Sequence, residues 1–177
     1  NGTGFATLGS NPPSDAVYIF TSTHTGSGAY TVTQMDRDCQ SEATAASLPG
    51  TYAALVSTTT TTAWSRAAMY GTLTRADGWI VGPHNSTTSV LWLAQGVGTF
   101  AVHANGSVMS TAAAATWNGM GANSTGFGAT CSDWTSGGST SSGATGDGTS
   151  ALVSNWSGYS NTFCNTVQPW YCIQTGP

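Results

Sequence analysis

Apolar positions in this chain come in short runs separated by Gly, Pro, Ser and Thr, the texture of short strands and turns rather than long helices. The run Ala16-Val-Tyr-Ile-Phe-Thr21 is rich in β-forming residues and predicts a first strand. The period then lengthens. From Thr33 to Ser47, Cys39, Ala43 and Ala46 recur at i, i+4 and i+7, one face of a helix. Thr33 stands as its cap with Asp36 three residues on, and Pro49-Gly50 ends it. Thr51–Ser57 returns to strand character, and Thr58–Thr62 leads into a short second helix over Thr62–Tyr70 that Gly71 stops. Trp79–Val81 and Val90–Leu93 are further apolar segments, split by a turn from Pro83. Thr99–Met109 reads as a hairpin, with Asn105-Gly106 suited to a two-residue type I′ turn. From Trp117 to about Gly148 no period is sustained, which predicts a long loop region holding Cys131 and Trp134. Ala151–Trp156 and Trp170–Gln174 supply the last strands. Residues 1–14, with Pro12-Pro13, predict an extended arm ahead of one domain over 15–177.

Composition narrows the function. There are three Arg, seven acidic residues and no Lys, for a net charge of −4. Polarity comes instead from 52 Ser and Thr. Nucleic acid is not an expected partner, because phosphate neutralisation needs clustered cations. Schiff-base chemistry and a phosphate-binding loop lysine are excluded with the missing Lys. No apolar run approaches the roughly 18 residues of a membrane helix, so membrane insertion is not expected. No signal-peptide pattern opens the chain, which is expected either to begin after cleavage or never to have been exported. The four cysteines lack metal-ligand spacing and favour export with two disulfides.

The order of several short motifs resembles a known family. A strand ending Tyr-Ile-Phe-Thr-Ser22 leads to a helix with Cys39. Leu48-Pro-Gly-Thr-Tyr-Ala-Ala-Leu-Val-Ser57 then enters a helix with Ser65-Arg66-Ala67. Ala115-Thr-Trp117-Asn-Gly, Thr130-Cys-Ser-Asp-Trp134, Cys164 and Trp170-Tyr-Cys172-Ile-Gln174 follow. Over residues 16–174 this resembles endostatin, and more closely the bacterial leptospiral endostatin-like domains, distant relatives of the C-type lectin fold. The resemblance implies an α+β domain: two helices on a twisted, mostly antiparallel sheet, with long loops at one end. It also implies one disulfide pairing of three, Cys39 with Cys172 and Cys131 with Cys164.

Against that background the candidate sites are few. The calcium-binding triplet of sugar-binding relatives is not reproduced: Gln168-Pro169-Trp170 lacks a ligand oxygen at its third position, and Trp117-Asn118 is followed by Gly119. No calcium or other cofactor is therefore expected, although Asp133 and Asp147 share the long loop as candidate cation ligands whose separation the sequence does not fix. Asp36, Asp38 and Glu42 form the densest acidic group and read as dipole-favourable acids early in a helix. His24, His84 and His103 do not reproduce the family's zinc spacing. Trp64, Trp79, Trp92 and Trp117 lie in apolar segments and are expected in the core. Trp134 and Trp156 flank loops and are the candidate ligand or interface surface. Asn-x-Ser/Thr sequons at Asn1, Asn85, Asn105, Asn123 and Asn155 mark possible glycan sites. No nucleophile elbow or zinc-protease motif occurs, so an enzyme is not expected.

These readings converge on a non-enzymatic recognition or adhesion domain, extracellular or at the cell surface. The resemblance places it among bacterial proteins that bind a glycoprotein, matrix component or glycan. The alternative is a self-assembling subunit of a filament, sheath or surface layer, favoured by the low charge and the arm, whose partner would be copies of itself.

Overall fold

The computed structural model describes residues 13–67, 71–84, 99–109, 115–121, 128–150 and 160–177. Eleven elements run in order within them: β1 (Ala16–Thr21), α1 (Val32–Ala45), β2 (Thr51–Ala54), α2 (Ala63–Arg66), β3 (Gly71–Arg75), β4 (Ile80–His84), β5 (Ala115–Trp117), α3 (Cys131–Trp134), β6 (Ser142–Asp147), β7 (Ser160–Phe163) and β8 (Tyr171–Gly176). The class is α+β as expected, with two disulfides, but the strands form two sheets rather than one. Five strands stand in the order β2-β8-β1-β3-β4, and three in the order β5-β6-β7. Most pairings are antiparallel; β1 and β3 run parallel.

The side-chain period of two explains why the larger sheet is buried on both faces. From β1, Val17 and Ile19 join one cluster with Leu55, Leu73, Phe100, Tyr171 and Ile173. Phe20 points the other way, into a cluster with Tyr52 and Cys172. That second cluster takes in Met35, Cys39 and Ala43 of α1, then Trp117, Trp134 and Trp170. Helix α1 starts two residues earlier than the sequence suggested. Its cap is Thr31, whose hydroxyl accepts from Gln34 N–H at 3.3 Å while the Gln34 side chain accepts from Thr31 N–H at 2.9 Å. A reciprocal box beats a lone Thr33 cap because it satisfies two orphan donors. Asp36 consequently lies past the first turn, and the expected dipole role of the acidic group does not hold.

Both disulfides match the pairing that the resemblance implies: Cys39–Cys172 and Cys131–Cys164. The first ties α1 to β8. The second ties α3 to the turn after β7 and closes within the span of the first. Disulfides of this kind fit folding in an oxidising compartment. No helix among the described residues is long and apolar enough to cross a membrane.

Four expectations need correction. The second helix is a single turn, Ala63–Arg66, capped by Thr62. Pro83 and His84 continue β4 instead of turning. At Asn105-Gly106 the turn is wider than two residues. Gly106 N–H donates to the His103 carbonyl at 2.9 Å and Gly106 alone takes positive φ, 79°, so a type I turn followed by a left-handed glycine closes the pair Val102–Val108. The stretch from Trp117 to Gly148 is not one long loop, because β6 crosses it as the central strand of the smaller sheet. Residues 1–12, Val90–Leu93 and Ala151–Trp156 lie outside the described residues.

Candidate functional site

Among the described residues three loops come together as a loop end: Thr58–Thr62, Asn118–Gly121 and Thr130–Ser136. Their connection begins with an unusual backbone. Cys131, Ser132, Asp133 and Trp134 all have left-handed φ, at 51°, 55°, 55° and 63°. Each such residue costs roughly 1–2 kcal/mol in an L-amino-acid chain. Three sets of contacts hold the turn in place. Cys131 is bonded to Cys164. The Asp133 carboxylate accepts from Thr59 N–H at 2.6 Å and from the Thr59 hydroxyl at 2.7 Å. Trp134 is fully buried, its ring N–H donating to the Ser57 carbonyl at 2.8 Å and its ring meeting Trp117 edge-on at 5.7 Å.

The loops are also joined to one another. Ser57 N–H donates to the Asn118 carbonyl, Cys164 N–H to Ser141, and Gly28 N–H to Cys164. Close approach leaves no room for a side chain at several glycines, Gly28 and Gly143 among them. A Cβ on Gly28 would lie 2.4 Å from Cys131 Sγ, and one on Gly143 would lie 2.7 Å from the same atom. The result is an exposed ridge of Thr59, Thr60, Ser132 and Thr135 with one carboxylate beside it. The Thr59 hydroxyl and N–H hold Asp133 below the ordinary carboxylate range, so that carboxylate is ionised at neutral pH.

The sequence candidates fare unequally. Trp134 is corrected: it is a core residue, not a ligand surface, because the left-handed turn swings its ring inward. Asp133 does sit on the loop end. Asp147 does not join it. Thr130 bridges Gly143, and Asp147 lies four residues further along β6, about 13 Å by strand rise. There Asp147 accepts from its neighbour Thr149 instead, at 2.9 Å from N–H and 2.6 Å from the hydroxyl. Among the described residues no three His, Cys, Asp or Glu gather as metal ligands. Asn105 is an exposed sequon. Trp156, Asn1, Asn85, Asn123 and Asn155 lie outside the described residues. Trp64 and Trp117 are core as expected, whereas Trp79 is 39% exposed; Trp92 lies outside the described residues.

Sequence reasoning missed a second constellation, at the other end of α1. Glu42 accepts from the Ser22 hydroxyl at 2.6 Å, from the His24 ring Nδ1 at 2.7 Å, and from Thr23 and His24 N–H. Burial raises its pKa, but the bonds from Ser22, His24 and the two backbone donors outweigh this and hold the carboxyl below the ordinary glutamate range. Ser, His and Glu together suggest a nucleophile relay, yet the geometry is a different one. Ser22 donates its hydroxyl proton to Glu42 and accepts from the His24 backbone N–H at 2.9 Å, while the His24 Nδ1 meets Glu42 and not the hydroxyl. Asp36 and Asp38 turn elsewhere. Asp36 binds Arg66 at 2.6 Å, and Tyr30 donates to Asp38 at 2.6 Å. Of the three Arg, Arg66 staples α1 to β2 and α2 through Asp36 and the Ala54 carbonyl.

Compared with known proteins, the sequence matches no family model and no curated protein.

Proposed function

We propose that this chain is a non-enzymatic, extracellular recognition domain of the endostatin-like, C-type-lectin-like kind. It binds a glycoprotein, matrix component or glycan through the loop end without a calcium ion. The observation that carries this reading is the construction of that end: two hydroxyl-rich loops, Thr58–Thr62 and Thr130–Ser136, locked by Cys131–Cys164, Asp133–Thr59 and Trp134–Ser57 over the largely buried Asn118–Gly121 loop. Preorganised polar loops reduce the ordering entropy lost on binding. A ridge of hydroxyls with a single carboxylate offers donors and acceptors to sugar or peptide groups and little to polyanions. The nested disulfides agree with the family pattern and with an exported protein.

The test is binding of the native chain to arrayed glycans and purified matrix glycoproteins, alongside Thr60→Arg and Ser132→Arg. Both positions are exposed. A ligand bound by the native chain and lost in both variants, with near-UV circular dichroism unchanged, supports the reading. Undiminished binding in both would move the recognition surface elsewhere.

A second reading, self-assembly, has one specific observation behind it. Among the described residues β7 pairs with β6 alone, and Phe163 at its end is 61% exposed with Val167 nearby in sequence at 60%. An uncovered strand edge beside exposed apolar groups can template pairing with another copy. Light scattering on size-separated native chain and Phe163→Ser decides it: a strict monomer at high concentration removes this reading.

A further inference from the structure

A groove of about 300 Å³ opens between the C-terminal half of α1 and the 103–105 turn, lined by Thr23, Glu42, Ala45, Ala46, His103, Ala104 and Asn105. None of its lining residues belongs to the loop end or to the contacts argued above for recognition. Its lining is divided by chemistry. Ala45, Ala46 and Ala104 supply methyl groups. Glu42, His103 and Thr23 supply acceptors. Glu42 Oε1 already takes the Ser22 hydroxyl, the His24 ring and two backbone N–H groups, whereas among the described residues Oε2 takes only the longer bond from Thr23 N–H at 3.1 Å. The His103 ring donates from Nδ1 to the Thr21 carbonyl at 2.9 Å in its neutral form, which leaves Nε2 as an acceptor.

We propose that this groove receives a lysine side chain of a partner protein. The aliphatic stem lies on the three alanine methyls, and the ammonium reaches Glu42 Oε2, His103 Nε2 and the Thr23 hydroxyl. Three donors on an ammonium meet three acceptors. Arginine fits less well, because a guanidinium prefers to bridge both oxygens of a carboxylate and Oε1 is already saturated. The volume is at the small end for ligand sites and suits one side chain rather than an oligosaccharide. A second copy of this chain cannot supply the guest, since the sequence contains no Lys. Its net charge of −4 instead favours a basic partner.

The test is a two-dimensional amide NMR titration. The probes are Nα-acetyl-lysine-N-methylamide, its Nε-acetylated form, and n-butylamine. The expected result is saturable shifts at Ala46, Ala104 and Asn105 with the lysine derivative, with a Kd on the order of 1–10 mM. The Nε-acetylated form should produce none. Glu42→Gln should weaken binding at least about tenfold. Because Glu42 also holds the 22–24 segment, Ala45→Leu provides an independent arm: it fills the groove from an exposed helix position and should abolish the shifts. Binding retained in Ala45→Leu, or equal shifts with the acetylated form, overturns the proposal. So does binding of n-butylamine without the lysine derivative, which would mean the groove is too narrow for a chain-borne side chain.

Discussion

The two faces of the five-stranded sheet are built from different chemistry. On one, Val17, Ile19, Leu55, Leu73, Phe100 and Ile173 form an apolar cluster without a cysteine. On the other, all four cysteines, three tryptophans and α1 pack together. Apolar burial is non-directional, so the first face stabilises the sheet and tolerates reshuffling of similar volumes. Disulfides and indole hydrogen bonds are directional. The second face is therefore where loop geometry is specified, and both candidate surfaces grow from it.

Removing the long crosslink should test this contrast most severely. Cys39 and Cys172 are 133 residues apart, and the chain-entropy model assigns about 5 kcal/mol to a loop of that length. Replacing both with Ala should cost roughly this in urea denaturation. The 33-residue separation of Cys131 and Cys164 corresponds to about 4 kcal/mol. On the apolar face, Leu73→Ala should cost about 2–5 kcal/mol through its cavity, while Leu73→Met should cost less than about 1.5 kcal/mol. If Leu73→Met proved as damaging as removal of a disulfide, the contrast between the faces would be lost.

A finer probe of the directional face is Gly143→Ala. Its new methyl would meet Cys131 Sγ and the Trp117 ring at 2.7 and 2.8 Å. A loss of about 1–3 kcal/mol is expected from overpacking, measurable as a lowered Tm.

The acid response sharpens the contrast further, because Glu42 borders the second face. Folding depresses its pKa below the ordinary value of 4.5. Its contribution is therefore complete above about pH 4.5 and is lost as pH falls through the depressed folded value. Asp77 and Asp133 act with the same sign. Glu42→Gln should lower stability at pH 7 and flatten, without abolishing, the fall in stability below pH 4.5, as followed by denaturation midpoints across pH. The smallest effect belongs to Tyr52→Phe. The buried Tyr52 hydroxyl has no hydrogen-bond partner among the described residues, and burial pushes its pKa well up. Deleting it should change stability by less than about 0.5 kcal/mol or raise it slightly.

How much of this was legible in the sequence follows the same division. Strand β1, helix α1 and the 102–108 hairpin carry their own local signals of β-branched runs, a helical repeat and Asn-Gly. The start of α1 was misplaced by two residues because Thr31 and Thr33 both suit a cap, and only the Gln34 side chain decides between them. Strand β6 was invisible: Ser-Gly-Ala-Thr-Gly-Asp has no apolar period, and its extended form comes from β5 and β7 on either side. Trp134 was misread because a loop-like neighbourhood suggests exposure, whereas four left-handed residues fold its ring inward. The disulfide pairing does not follow from spacing; it was only an implication of the resemblance drawn from the motif order. The Glu42 hub joins residues about twenty positions apart on a helix and a loop, which no local pattern announces.

Amide hydrogen exchange tests most directly whether the loop end is preorganised. In the native chain without ligand, Ser57, Thr59, Trp134 and Cys164 are expected to exchange slowly, since each donates a hydrogen bond across or within the loop end. In the Cys131→Ala and Cys164→Ala double variant, protection at these four should fall while the amides of α1 stay protected. Rapid exchange at Thr59 and Trp134 in the native chain, or protection unaltered by loss of the disulfide, would contradict a recognition surface held rigid from the cysteine-bearing face.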